Sequence, residues 1–393
     1  MRPLTTRGAA PAIIPRMELR PYRINVPQAV LDDLEARLAQ TRWPTQLADA
    51  GWEYGANLAY VRDLCNYWRE GFNWRAQESA INEHPQFLCE VDGVDLHFIH
   101  VRGKGPNPFP LLLIHGWPGS IVEFLELIGP LTDPAAHGSD PANSFDVVIP
   151  ALPGFGFGGQ PTDRGWGITR IAAVFDTLMT GALGYTRYGV QGGDWGGITA
   201  AKMASAHSES VAAIHLNFVF SPPPSGDLSD EDKTAVAARD AFQAAETGYS
   251  NVQGTKPDSL TLAQTDSPAG LAAWIVEKFR AWGDCDGDAE KAFSRDALLT
   301  NLMFYWAPNS VASSARIYYE ARHDPSSFRY GKIEVPTAVA VFPKEPWRVP
   351  RAWAEPRFNI QRWTEMPAGG HFAALEQPQL LLEDMRAFFA TIR

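Results

Sequence analysis

Residues Arg187–Ile198, reading R-Y-G-V-Q-G-G-D-W-G-G-I, constrain the fold more than any other stretch of the chain. Tyr188–Gln191 reads as a short strand with apolar Val190, and Ile198–Ala206 is small and helix-favouring. Between them Gly192, Gly193, Gly196 and Gly197 crowd a single side chain, Asp194. A strand that turns at once into a closely packed helix has no room for flanking side chains, and glycine permits the approach. The residue at the centre is then held in a strained conformation above the sheet. Gly192-x-Asp194-x-Gly196 has the shape of a nucleophile elbow with Asp in the place of Ser. Taken alone, Asp194 reads as a helix N-cap. Three further motifs, in order along the chain, change that reading.

Around this stretch the apolar period points to a parallel sheet. Phe87–Val91, Asp92-Gly93 and Val94–Val101 read as a hairpin with a two-residue turn. Strand signals follow at Leu111–His115, Asp146–Ala151, Tyr188–Gln191 and Val211–Phe218, with helix-like Ile121–Leu131 and Ile168–Leu183 between them. Near-continuous apolar strands alternating with helices predict an α/β fold whose buried sheet is covered on both faces. The alternation breaks at Ser221-Pro222-Pro223-Pro224 and gives way to helical patterns at Asp232–Glu246, Leu271–Trp282, Ala289–Trp306 and Ser310–Arg322. It resumes at Thr337–Phe342 and Arg362–Met366, before a helix over Leu380–Thr391. These breaks divide the chain into an N-terminal unit (18–90), a first part of the core (91–220), an inserted helical lid (221–334) and a second part of the core (335–393). The N-terminal unit carries amphipathic helices after Pro27 and over Leu58–Gly71, and its aromatics read as packing surface.

Charge and composition exclude several classes. With 34 Lys and Arg against 45 Asp and Glu, the net charge is −11, so no nucleic-acid partner is expected. Three widely spaced cysteines (Cys65, Cys89, Cys285) make no metal-ligand pattern and fit a reducing, cytoplasmic setting. No apolar run reaches the roughly 18 residues of a membrane span. Met1–Pro15 lacks the apolar segment of a signal peptide and reads as a loosely held tail. Pro153–Gly159 is glycine-rich but lacks the residues that would make it a phosphate or dinucleotide cradle, and no cofactor or metal is expected.

Asp194, His115-Gly116-Trp117-Pro118-Gly119, Glu345 and His371 form the constellation. The order nucleophile, acid, histidine suits a triad at strand ends. His115 precedes its turn and reads as a loop-ordering residue, whereas the Gly369-Gly370 pair frees the backbone to aim His371. An aspartate is already ionised at neutral pH and needs no base to activate it. It can attack a saturated carbon bearing a leaving group, and His371, oriented by Glu345, can send water at the resulting ester. Backbone N–H groups of Trp117 and Trp195 are the candidate oxyanion donors, one such donor being typically worth ~3 kcal/mol of barrier. The chemistry is hydrolysis at an sp³ carbon, of an epoxide or an alkyl halide.

On these residues the chain resembles an α/β-hydrolase-fold epoxide hydrolase, of the branch similar to the microsomal, insect juvenile-hormone and fungal enzymes. The motifs His115–Ser120, Gly192–Gly196, Phe342–Glu345 and Gly369–Ala374 carry the resemblance, which covers nearly the whole chain. It implies a mostly parallel eight-stranded sheet, an N-terminal meander over 18–90, and a small hydrophobic epoxide as substrate with water. It also implies two lid tyrosines that hold and protonate the epoxide oxygen. Gly248–Gln253 resembles the first site and supplies Tyr249; Arg316–Glu320 resembles the second and selects Tyr318, with Tyr319 as the alternative. Trp117 and Trp195 are placed at the substrate as well. The microsomal enzymes' membrane anchor has no counterpart here, and a homodimer is left open. Two rival readings remain at this point: a haloalkane dehalogenase with the same nucleophile, and a catalytically silent binder of hydrophobic ligands.

Overall fold

The computed structural model describes residues 17–393; the expected tail Met1–Pro15 lies outside them. A single sheet of nine strands runs through the molecule in the order β1-β2-β3-β5-β4-β6-β7-β8-β9. In chain order these are β1 Arg20–Tyr22, β2 Gln86–Val91, β3 Val94–Val101, β4 Phe109–Ile114, β5 Phe145–Pro150, β6 Tyr188–Gly192, β7 Val211–Leu216, β8 Ile333–Val341 and β9 Phe358–Glu365. From β5 to β9 every neighbouring pair is parallel, and β1, β2, β3 and β5 pair antiparallel along one edge. The expected eight strands are therefore nine. The additional one, Arg20–Tyr22, is too short to show a period of two, and only its pairing with β2 makes it a strand.

Burial explains why the centre reads as continuous apolar runs. Every residue of β5, β6 and β7 is buried, as parallel strands covered on both faces must be. The helices Leu125–Thr132 and Pro378–Phe389 pack together as one layer, and Ile168–Thr177 packs with Asp194–Ala206 as the other. The β2–β3 hairpin turns at Asp92 (φ 53°) and Gly93 (φ 80°), the two left-handed residues that a two-residue turn matched to strand twist requires.

Between β7 and β8 the chain leaves the sheet for six helices: Asp230–Glu246, Gly248–Gln253, Pro257–Asp266, Pro268–Trp282, Arg295–Trp306 and Val311–His323. The expected helix over Ala289–Trp306 is in fact a short 3₁₀ turn, Ala289–Lys291, and a helix that starts afresh behind the Ser294 cap. The N-terminal helices Gln28–Ala39 and Leu58–Glu70 lie against Pro268–Trp282. Tyr67 donates to Asp296 (2.7 Å) and Arg295 pairs with Asp63 (2.6 Å), so the N-terminal segment fastens the inserted helices from outside. Among the described residues no helix is long and apolar enough to cross a membrane.

Candidate active site

The elbow is built by close approach. A Cβ on Gly196 would fall on the Ile114 carbonyl of β4, and one on Gly192 would fall on the backbone of Gly196. Strand and helix therefore meet as bare backbone, and Asp194 is forced to φ 49°. Non-glycine residues reach that region at a cost on the order of 1–3 kcal/mol, which persists only where the surroundings over-determine it. Gly193, not Asp194, is the N-cap, and Asp194 is the first residue of the helix Asp194–Ala206. The carboxylate is thereby released from capping and aimed outward. Its Oδ1 accepts the Trp117 N–H at 2.8 Å, and the Trp195 N–H adds a second donor. Burial raises its pKa, while His371 and the Trp117 N–H act in the opposite direction.

The loops after β8 and β9 bring two more groups to the same point. His371 Nδ1 lies 2.8 Å from Glu345 Oε2, and Nε2 lies 3.7 Å from Asp194 Oδ2. The other oxygen of Glu345 accepts the Trp347 N–H at 3.1 Å, which fixes the carboxylate plane. Burial alone would lower the His371 pKa, but the Glu345 charge and hydrogen bond, with Asp194 behind them, push it up to about 9. His115 is the loop-ordering residue its position suggested. Its Nδ1 donates to Gly116 O (2.9 Å) and its Nε2 accepts the Leu152 N–H (3.1 Å), away from Asp194.

Over these groups the inserted helices close a cavity of about 320 Å³. Tyr249 and Tyr318 stand on its wall with Asp194, and Phe218, Phe220, Phe242 and Phe328 make most of the rest apolar, with Gln243, Thr247, Asn251 and Arg322 as its polar positions. The two tyrosine rings meet edge to face at 5.6 Å, and Tyr318 also stands edge-on to Trp195 at 4.8 Å. The Tyr318 hydroxyl is buried without a hydrogen-bond partner among the described residues. Burial and the Asp194 charge raise both phenols' pKa values far above the ordinary range. Tyr319, one residue on, turns outward: it is 37 % exposed and stacks on His323 at 4.0 Å. Trp117 and Trp195 stand differently at the site. Its backbone faces Asp194, but its ring stacks behind Tyr249 (5.0 Å, 7°) and is absent from the cavity wall, where Trp195 does stand.

The remaining lid aromatics sort the same way. Trp282 lines the cavity beside Phe242, whereas Trp274 donates to Gln253, Tyr305 donates to Gly119 O, Phe304 packs on Phe157, and Trp306 faces Arg37.

Several positioning groups escaped the sequence reading. Glu376 accepts N–H groups from Asp284 (2.6 Å), Gly370 (2.8 Å) and Phe372 (2.8 Å), so one half-buried carboxyl holds the His371 loop. Asp284 accepts the Gly369 N–H (2.8 Å), and His371 N donates to Trp282 O (3.0 Å), tying that loop to the inserted helices. Nothing in the sequence marked Glu376, which ends the short helix Ala373–Glu376. Glu123 stands three residues after Ser120, a spacing that reads as a capping box and so as purely structural.

Over its whole length the chain is similar to known epoxide hydrolases. The family model described as Epoxide hydrolase N terminus matches residues 19–124, and that of the alpha/beta hydrolase fold matches residues 110–260. Epoxide hydrolase 1 of Oryctolagus cuniculus is 34% identical over 420 residues, covering 98% of this chain and 91% of the relative. The crystal structure of juvenile hormone epoxide hydrolase from the silkworm Bombyx mori superposes with a TM-score of 0.87 at 28% identity, over 96% of this chain and 95% of that one. The Aspergillus niger epoxide hydrolase gives 0.84 at 29%, over 96% and 97%. An aspartate on a strained turn, sharing a mostly apolar cavity with two phenols, thus belongs to a whole-chain likeness, and the chain is a member of the epoxide hydrolase family with the α/β-hydrolase fold.

Proposed function

We propose that this epoxide hydrolase works through a covalent ester on Asp194, with Tyr249 and Tyr318 as the acids and the His371–Glu345 pair as the base. The observation that carries the assignment is the convergence of all five side chains on one apolar cavity. In the first step Asp194 Oδ2, the oxygen not engaged by Trp117, attacks an epoxide carbon and the ring C–O bond breaks. The freed oxygen needs a proton, and a phenol kept neutral by burial has one to give. In the second step His371 draws a proton from water, whose oxygen attacks the ester carbonyl. That carbonyl oxygen is Oδ1, which already accepts the Trp117 amide, and with the Trp195 amide as the second donor it is stabilised as an oxyanion. Collapse releases the vicinal diol, and the proton returns through His371 to the tyrosinate.

The apolar wall and its size favour a hydrophobic epoxide of drug-like dimensions. The three cysteines are free and buried, which supports a cytoplasmic setting. We divide the chain into a meander (18–90), a core in two parts (91–220 and 335–393) and a lid (221–334); the insertion between β7 and β8 supports this division.

A single turnover of styrene oxide in heavy-oxygen water is the test. The label should enter the protein at Asp194 and not the first equivalent of diol. In His371→Gln the ester should persist as a mass increase equal to one epoxide. Label confined to the diol would overturn the two-step assignment. Bromide release from 1-bromobutane in place of diol formation would transfer the same residues to the dehalogenase reading.

A further inference from the structure

A second and much smaller cavity also reaches Asp194, and neither tyrosine lines it. Its volume is about 10 Å³, roughly the least that admits one water molecule. The two cavities share just two of their lining residues, Asp194 and His371, the proposed nucleophile and base. The large one is closed by phenols and apolar rings. The small one has a mixed lining: Glu123, Asn217, Asp194, His371 and the backbone of Gly116 and Gly193 offer a water hydrogen-bond partners among apolar Ile114, Phe124, Phe372 and Leu381, whereas a purely apolar void would stay dry.

Glu123 reaches this place for a local reason. Ser120 caps the short 3₁₀ turn Ile121–Phe124, and the Glu123 carboxyl folds back over Gly119, filling the space a side chain there would need. The carboxyl receives the Gly116 and Ser120 amides, and its remaining capacity faces the cavity. Burial, reinforced by the nearby Asp194 charge and opposed by His371, pushes its pKa up to about 8. A carboxyl is not kept in such surroundings by the fold alone, since its burial is costly unless its lone pairs are used.

We propose that the small cavity seats the hydrolytic water, and that Glu123 orients it by accepting one of its hydrogens while His371 Nε2 takes the other. This rests on the covalent mechanism above. The water oxygen then forms its bond to the Asp194 carbonyl carbon from the small cavity. One proton passes to His371, and the ester C–O bond breaks to release the diol and an Asp194 carboxylate carrying the water's oxygen. Substrate and water thus reach the same carboxyl from separate cavities, and a bound epoxide does not have to leave room for water. Glu123 is a positioning residue for the second step alone.

The test separates the two steps by rapid quench and intact-protein mass spectrometry with styrene oxide, on wild type, Glu123→Gln and Glu123→Ala. Alkylation should stay within about threefold, while ester hydrolysis should slow ~10- to 100-fold in Glu123→Ala. Glu123→Gln, which keeps a carbonyl acceptor of the same shape, should recover part of that loss. In the steady state kcat and KM should fall together with kcat/KM preserved, and the fraction of protein carrying the ester should rise. A merely structural role would lower alkylation as well. Unchanged hydrolysis, or equal loss in both steps with an unaltered melting temperature, would overturn the proposal. If the wild-type protein formed no ester, the Asp194 assignment would fail first and this one with it.

Discussion

His371 and His215 each hold a carboxylate inside the fold, at 2.8 Å from Glu345 and 3.0 Å from Asp384 respectively. By residue type, distance and burial the two pairs look alike. They differ in what is left unsatisfied. His215 sits on β7 at 0 % exposure with Phe388 and Phe389 beside its ring, and its second nitrogen has no polar partner among the described residues. Asp384, by contrast, is saturated, its other oxygen taking Arg362 and Thr364, both at 2.7 Å. His371 instead turns its second nitrogen toward Asp194 at the junction of two cavities. A histidine–carboxylate pair becomes chemical equipment only when its outer nitrogen faces a space that reactants can enter.

Replacements should separate the pairs, most strongly at the site. Asp194→Ala should abolish diol formation, and His371→Gln should slow ester hydrolysis by at least ~10³-fold while leaving the ester formed, as mass spectrometry would show. Glu345→Gln should cost ~10²-fold in the same step, because the imidazole loses both its orientation and its charge partner. Tyr249→Phe and Tyr318→Phe should each slow alkylation by ~10-fold or more in single-turnover assays without changing the melting temperature. Tyr319→Phe, outside the cavity, should do neither.

Acidity sharpens the contrast further. In the resting protein His371 is raised to about 9 partly by the Asp194 charge, which esterification removes, so its value must fall in the intermediate. Hydrolysis needs the neutral imidazole. Its single-turnover rate should therefore climb with pH and level off below about 9. At the other pair the smallest effect on turnover is expected. Asp384→Ala should cost on the order of 3 kcal/mol of stability by denaturant unfolding, with kcat per folded molecule unchanged. Burial pushes Asp384 up, but His215, Arg362 and Thr364 outweigh it and hold the carboxylate below its ordinary range. Its stabilisation is thus complete above the unfolded value near 4 and fades as pH falls, so the variant's stability should be flatter toward acid. A loss of turnover in Asp384→Ala as large as in Glu345→Gln would erase the distinction between the pairs.

Periodicity made the central strands legible because residues buried on both faces leave one signature, apolar continuity. Arg20–Tyr22 left none, being three residues long and defined by its partner alone. The elbow was legible from its glycines, since collisions with Ile114 O and the Gly196 backbone leave no other residue type a place. Tyr318 and Tyr319 could not be ranked by residue type, because neighbours on a helix point about 100° apart and which one faces inward is set by how that helix packs. Glu123 and Glu376 were hidden for a different reason: a carboxylate among backbone amides looks on paper like any surface glutamate.

By itself the sequence determined the kind of chemistry: an aspartate forced into a strained turn, a histidine freed by two glycines, and an acid between them in chain order. Those requirements are local and stereochemical, so they are written in adjacent letters. Only the tertiary structure decided which histidine faces a cavity, which tyrosine lines it, and that two separate cavities meet at one carboxyl. Cavities and unspent hydrogen-bonding capacity arise between segments far apart in the chain, and no stretch of residues contains them.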